Sequence, residues 1–308
     1  MNGRRLPIPP HLILVLGVLA VSTASTLIRL AQADIPSLAV AAWRLTFASV
    51  ILAPVTLTTT RAELRGLSRR EWLLALSGGV VLALHFAAWI TSLAMTSVAA
   101  SVVLVTTSPL FVGLIAHLFL HEPLSPRMWT GMALALIGSI VIGLDDVGLG
   151  SHRLQGDLLA LLGALAAAAY FLIGRRLRAR LSLLAYVFPV YSVAALVLMG
   201  GALVSGVRLT GYAPPTWGWL LLLALIPQIV GHSSLNWALR HLSVTYVSLS
   251  VLAEPVGSTL LAWGVLGEAP TWAALLGGTL ILLGLFLAGR PPVHRVEEGE
   301  PALIEGRT

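Results

Sequence analysis

The chain has no cysteine and no lysine, and charged residues make up only 10% of its 308 positions. The missing cysteines exclude a disulfide framework, a thiolate nucleophile and any cysteine-ligated metal. The missing charge excludes more. A typical soluble chain is about 25% charged, and this one, 57% apolar, cannot cover a water-exposed surface with polar groups. Also absent are H-E-x-x-H, Gly-x-Ser-Gly and a pair of aspartates within one apolar run. An intramembrane enzyme therefore has no motif to stand on. No bound cofactor or metal is expected, and His85, His232 and Glu254 share no tight ligand spacing.

What is present is a series of ten apolar runs, at 11–31, 36–58, 71–93, 97–120, 126–144, 155–175, 183–205, 215–238, 242–266 and 270–289. Each is close to the roughly 20 residues a helix needs to cross a bilayer core. The prediction is an all-α membrane protein with ten transmembrane helices. Met95-Thr96 and Arg240-His241 leave almost no loop, so their neighbours form antiparallel hairpins. The first run reads as an uncleaved span, because no cleavage site followed by a soluble chain succeeds it.

Arginine gives the orientation. The termini and even-numbered loops hold fourteen, including Arg61, Arg65, Arg69, Arg70, Arg175 and Arg176, while the opposite side holds Arg29, Arg153 and Arg208. This bias places both termini in the cytoplasm, here expected beneath a bacterial inner membrane. Basic residues in short juxtamembrane loops suit anionic headgroups. The partners expected are the bilayer and a small-molecule substrate, with no nucleic acid and no second subunit. Residues 291–308 form a short acidic tail, expected to be disordered. Its Ile304-Glu305-Gly306-Arg307 has the form of a protease site and is left out of the functional reading.

Displaced by 146 residues, the sequence matches itself. Without a gap from 97 to 143, Ser97-Val98 falls on Ser243-Val244, Pro109 on Pro255, Glu122 on Glu268, Gly131 on Gly277 and Gly138 on Gly284. Earlier, Gly17 falls on Gly163 and Arg29 on Arg175. Two repeats follow, 1–148 and 149–290, each of five spans. Five is odd, so the second copy enters the membrane upside down. Inverted repeats around a central cavity are the signature of alternating-access transporters. A duplication retained only as scaffold is the bland alternative.

Candidate binding residues are polar groups at membrane depth. Pro109 and Pro255 lie mid-run, where proline removes a donor and frees the carbonyls of Val105 and Val251; they are the candidate hinges. Ser108 and Glu254 precede them. Glu254 is the acid at mid-depth, costing about 2.5–3.5 kcal/mol on insertion scales for charged residues. It is suited to bind an ammonium, carry a proton or hydrogen-bond within the bundle. Arg44 either snorkels outward or holds a carboxylate from the cavity. His85 and Trp89 share one helix face. Gln228, His232 and Asn236 form a polar stripe at i, i+4 and i+8 that must face protein or water. Tyr246, like Tyr191, lies in an apolar run where its hydroxyl needs a partner. Glu122 and Glu268 are read first as caps of the spans that follow them, and second as gate contacts. The glycine pairs 131/138 and 277/284 are read as close helix contacts.

The segments Ser108-Pro109-Leu110-Phe111 through Leu120-His121-Glu122, and Glu254-Pro255-Val256 through Leu266-Gly267-Glu268, resemble the drug/metabolite transporter superfamily. More narrowly they resemble its EamA-type exporters, and among those the bacterial exporters of aromatic amino acids. Gly156-Asp157 and Arg175-Arg176 match as well, and the resemblance covers about 10–290. It implies a basket of helices with spans five and ten at the periphery. It also implies export of amino acids, aromatic or otherwise large and apolar, and of related metabolites. Another small metabolite or a cationic drug is the alternative cargo. One departure withholds the family's specificity: Leu19-Ala20-Val21 and Ala166-Ala167-Ala168 stand where many relatives carry tryptophan.

Overall fold

The computed structural model describes residues 9–120, 125–148, 151–242 and 244–288. These residues are helical almost throughout, with no strand among them. Helix is what lipid demands of an open chain, since every backbone donor and acceptor is then paired within its own segment. Eight stretches are long and apolar enough to cross a membrane. In chain order they contain α1 (Pro10–Ser22) with α2 (Ala24–Gln32), α3 (Ser37–Thr59), α5 (Arg69–Leu93), α6 (Val98–Val105) with α7 (Ser108–Leu120), and, in the second half, four more. Those four are α9 (Ser151–Arg178), α10 (Leu183–Val204), α11 (Pro214–Leu223) with α12 (Ser233–Ala238), and α13 (Val244–Ser250) with α14 (Glu254–Leu261). The short α4 (Arg61–Arg65) links α3 to α5, and α8 (Pro126–Gly148) and α15 (Trp272–Ala288) complete the set. Serines start several of the long helices. Ser68 and Glu71 form a reciprocal capping box on α5, and Ser97 and Ser182 accept from Ala100 and Ala185.

The breaks are as informative as the rods. The fourth stretch is interrupted at Thr106-Thr107 and the eighth by a 3-10 turn at Val251–Ala253. These positions are 146 apart within a residue. Pro109 and Pro255 therefore sit in the first turn of α7 and α14, where the missing donor costs nothing, instead of kinking a continuous helix. The seventh stretch passes through a π-helix, Ala224–His232, which includes Pro227. A second π segment, Ala262–Leu266, ends at Gly267 with φ +70°.

Packing follows the same register. The contacts include α8 with α15, α5 with α9, α3 with α10, α5 with α10, α1 and α3 with the π segment of the seventh stretch, and α6 with α14. Exchanging the two halves leaves this pattern unchanged. Glycine contacts give the direction. A Cβ on Gly138 would lie 2.5 Å from the Gly277 carbonyl, and one on Gly284 would lie 2.5 Å from that of Gly131. As one helix ascends from 131 to 138 its partner descends from 284 to 277, so α8 and α15 are antiparallel. Near the other crossing, Gly17 approaches Leu235 as Gly163 approaches Trp89, again an exchange-symmetric pair.

The ends are tied symmetrically too. Gln32 Nε2 donates to the Ile90 carbonyl and Arg178 Nε to that of Asn236, each residue 146 from its counterpart. The helix α3 rises about 34 Å at 1.5 Å per residue, so the Gln32 end and the Glu63–Ser182 contact lie at opposite ends of the bundle. On the Gln32 end, Asp34 accepts from the Ala213 N–H and the Thr216 hydroxyl. Those bonds hold its carboxyl below the usual carboxylate range, the backbone bond contributing most. A depressed folded pKa adds stability above the unfolded value and loses it as pH falls through the folded one. Asp34→Asn is thus expected to melt earlier than the parent at neutral pH, with the gap narrowing only below about pH 4. Melting curves of both proteins against pH check this.

Candidate functional site

A cavity lies where the two halves meet. Ten of its fourteen lining residues form five pairs 146 apart: Val21 with Ala167, Ala24 with Tyr170, Trp89 with Leu235, Val105 with Val251, and Ser108 with Glu254. His85, Thr106, Phe171 and His232 complete the wall. The helix breaks explain why the site is here. Each places a serine or glutamate at the start of a half-helix, facing the interior: Ser108 opens α7 and Glu254 opens α14, and both are buried. Val105 and Val251, four residues before the prolines, are themselves in the lining, and the Val251 carbonyl is not left free as expected but accepts from the Glu254 N–H in the 3-10 turn. The free space is about 40 Å³ for water centres, room for roughly three waters.

Five of the nine expected binding residues line it: His85, Trp89, Ser108, His232 and Glu254. His85 and Trp89 stack, rings 5.8 Å apart and 20° from parallel. His85 Nδ1 lies 2.9 Å from the Gly163 carbonyl, which fixes the ring against α9. Three more stand one layer behind. Arg44 is fully buried, its Nε donating to Gln228 Oε1 at 2.9 Å and its guanidinium 4.2 Å above the Phe86 ring. Asn236 donates to the Tyr170 hydroxyl at 2.6 Å and to that of Tyr191 at 3.4 Å. Arg44 therefore does not snorkel: it points into protein.

Two expectations are corrected. Tyr246 is not at the cavity; it is 47% exposed and meets His11 edge-on, because α13 turns that face outward. Glu268 does not cap the helix that follows it. Its Oε1 accepts from the Val98 N–H at 2.6 Å, at the start of α6, and its Oε2 accepts from Arg29 at 3.0 Å. It ties the end of the eighth stretch to the first and fourth. Glu122, its counterpart by register, lies outside the described residues, as do 291–308. Tyr170, Phe171 and Thr106 were not anticipated. For Tyr170 a signal existed: the lone hydroxyl directly after the run Ala166–Ala169 falls 146 residues after Ala24.

The polar groups do not share the scaffold's symmetry. Tyr170, Tyr191, Gln228, His232 and Asn236 belong to the second half. Their counterparts, 146 residues earlier, are Ala24, Leu45, Leu82, Phe86 and Ile90, all buried. Glu254 faces Ser108 by register, and Arg44 corresponds to Val190. Duplicated helices thus enclose a site whose polar groups differ between the two halves. Among the described residues, no group of three histidines or carboxylates could hold a metal ion.

Comparison with known proteins agrees with this division. A riboflavin transporter of Rhizobium johnstonii is 30% identical over 87% of this chain and 85% of its own length. A probable terminal-alkyne amino-acid exporter of Streptantibioticus cattleyicolor is 28% identical over 63% and 65%. The chain spans 59% of the length of an uncharacterized transporter of Bacillus subtilis, at 25% identity over 59% of its own. A crystal structure superposes with a TM-score of 0.67 at 20% identity, covering 91% of this chain and 96% of the other. The model of the EamA-like transporter family matches twice, once over residues 9–144 and again over 154–290. With both halves matched by the same model, the chain belongs to the EamA-like transporter family and is a multi-pass membrane transporter.

Proposed function

We propose that this transporter exports amino acids with large apolar side chains, aromatic ones included, by alternating access between two inverted five-helix repeats. The observation that carries the reading is a cavity lined by ionisable and aromatic side chains together. An amphipathic substrate places its charged end against Glu254, His232 and the Arg44 layer, and its side chain against Trp89, Phe171 and the valines. The probable amino-acid exporter named above has a cargo that fits that shape. A riboflavin-like cargo would use the aromatic wall and leave the buried charges idle. The inversion is supported by the antiparallel glycine contact of α8 with α15, and by contacts that survive exchange of the halves. Both termini are placed on the cytoplasmic side of an inner membrane by the arginine bias. On that orientation the Arg29–Glu268–Val98 tie closes the outward end and must open for release. A cavity this small fits an occluded state, with bending at Thr106-Thr107 and Val251–Ala253 beside Pro109 and Pro255. The protein is taken to act as a monomer.

The test is counterflow in proteoliposomes loaded with unlabelled phenylalanine, leucine or tryptophan. Labelled amino acid is expected to accumulate transiently. Exchange of riboflavin or of a cationic dye with no exchange of any amino acid would remove this substrate class.

A further inference from the structure

Arg44 is buried completely, yet its two terminal nitrogens, Nη1 and Nη2, have no hydrogen-bond partner. A lone buried guanidinium is costly and is rarely left uncompensated. Its Nε bond to Gln228 aims the fork by fixing the plane of the group, and Phe86 supports one face. Around it, His232 Nδ1 is also buried without a partner, and the Gln228 amide is directed toward the Tyr191 hydroxyl. A scaffold role would recur at the symmetry-related position, where Val190 stands instead. Phe86 packs on His232, ring centres 5.3 Å apart, and His232 lines the cavity. Glu254 acts electrostatically on Arg44, but no direct ion pair joins them, since both terminal nitrogens lack a partner.

We infer that Arg44 with Gln228 is a subsite for the substrate's carboxylate, shielded from the cavity by the Phe86 and His232 rings in this conformation. Two parallel N–H bonds from Nη1 and Nη2 match the two carboxylate oxygens, the arrangement for which arginine is preferred over lysine. The Gln228 amide supplies a third donor. The cargo is then a carboxylate, and the rings part to admit it. This rests on the transport reading above and narrows its substrate class.

The experiment is equilibrium binding to the purified full chain of four probes: phenylalanine, phenylalaninamide, phenethylamine and 3-phenylpropionate. The parent is expected to bind phenylalanine about 30-fold or more tightly than its amide, the loss typical of removing one partner of a buried charge pair. In Arg44→Gln the acid-to-amide ratio should fall to near one, with amide binding retained as evidence that the variant folds. Arg44→Lys should restore part of the ratio. Equal binding of acid and amide by the parent overturns the subsite. So does a preference that survives Arg44→Gln, and so does failure of the parent to bind either carboxylate. Arg44-dependent binding of 3-phenylpropionate with none of phenylalanine upholds the subsite and removes the amino-acid reading.

Discussion

Glu254→Gln is expected to reduce transport of zwitterionic substrates on the order of 100-fold, with little change in protein yield. Glutamine keeps the shape and the hydrogen-bonding capacity of the side chain and removes its charge. The residue is 6% exposed and begins α14 at the break, so it meets the cavity at membrane depth. An ammonium in that low-dielectric space has no other carboxylate in the lining to approach. Truncating one partner of such a buried pair costs about 2–5 kcal/mol, and each 1.4 kcal/mol is tenfold. Counterflow and gradient-driven uptake separate the two roles open to this acid. If Glu254 binds the ammonium, the variant loses both for amino acids. If it carries a proton, exchange without a pH gradient survives and only gradient-driven accumulation is lost. Ser108→Ala, at the register-related position, serves as the comparison and should cost less than tenfold. Parent-like exchange and accumulation in Glu254→Gln would leave the acid with a packing role only.

The second large effect concerns stability. Gly138→Ala and Gly284→Ala are each expected to lower the melting temperature strongly and by similar amounts. In both, the new Cβ meets a backbone carbonyl at 2.5 Å, which cannot swing aside as a side chain can. Overpacking of a tight contact costs about 1–3 kcal/mol, and here the whole helix must shift. The two sites lie on one helix pair, so the double variant should fall short of the sum. Gly201→Ala provides the control. It lies inside α10 with nothing within 4 Å of a new Cβ, so alanine should be neutral or add up to about 1 kcal/mol from helix propensity. Thermal melts in a fixed detergent read all four variants. Unequal costs for Gly138 and Gly284 would break the equivalence of the two halves at this contact.

The fold was largely legible because lipid leaves a sequence few choices. The apolar runs are helical, some of them broken, and eight stretches are long and apolar enough to cross a membrane; the glycine pairs at 131/138 and 277/284 marked a close contact. The site was legible in part. His85, Trp89, Ser108, His232 and Glu254 were found from depth and periodicity, and they do meet. Tyr246 could not be separated from true wall residues, since an apolar run gives no clue to which face looks inward. Nor could Glu268 be assigned, because its partners Arg29 and Val98 lie 239 and 170 residues away.

By itself, the sequence determined that this protein lives in a membrane, that it is built twice, and which polar groups lie at depth. Those properties follow from composition and register, which need no knowledge of contacts. Only the tertiary structure decided that the doubled scaffold carries an undoubled chemistry. It set Arg44 behind Phe86 and His232, gathered the hydroxyls and amides of the second half against their apolar counterparts, and left so little space between them. The reason is physical: hydropathy fixes how deep a residue sits, but which way it faces depends on what the neighbouring helices press against it.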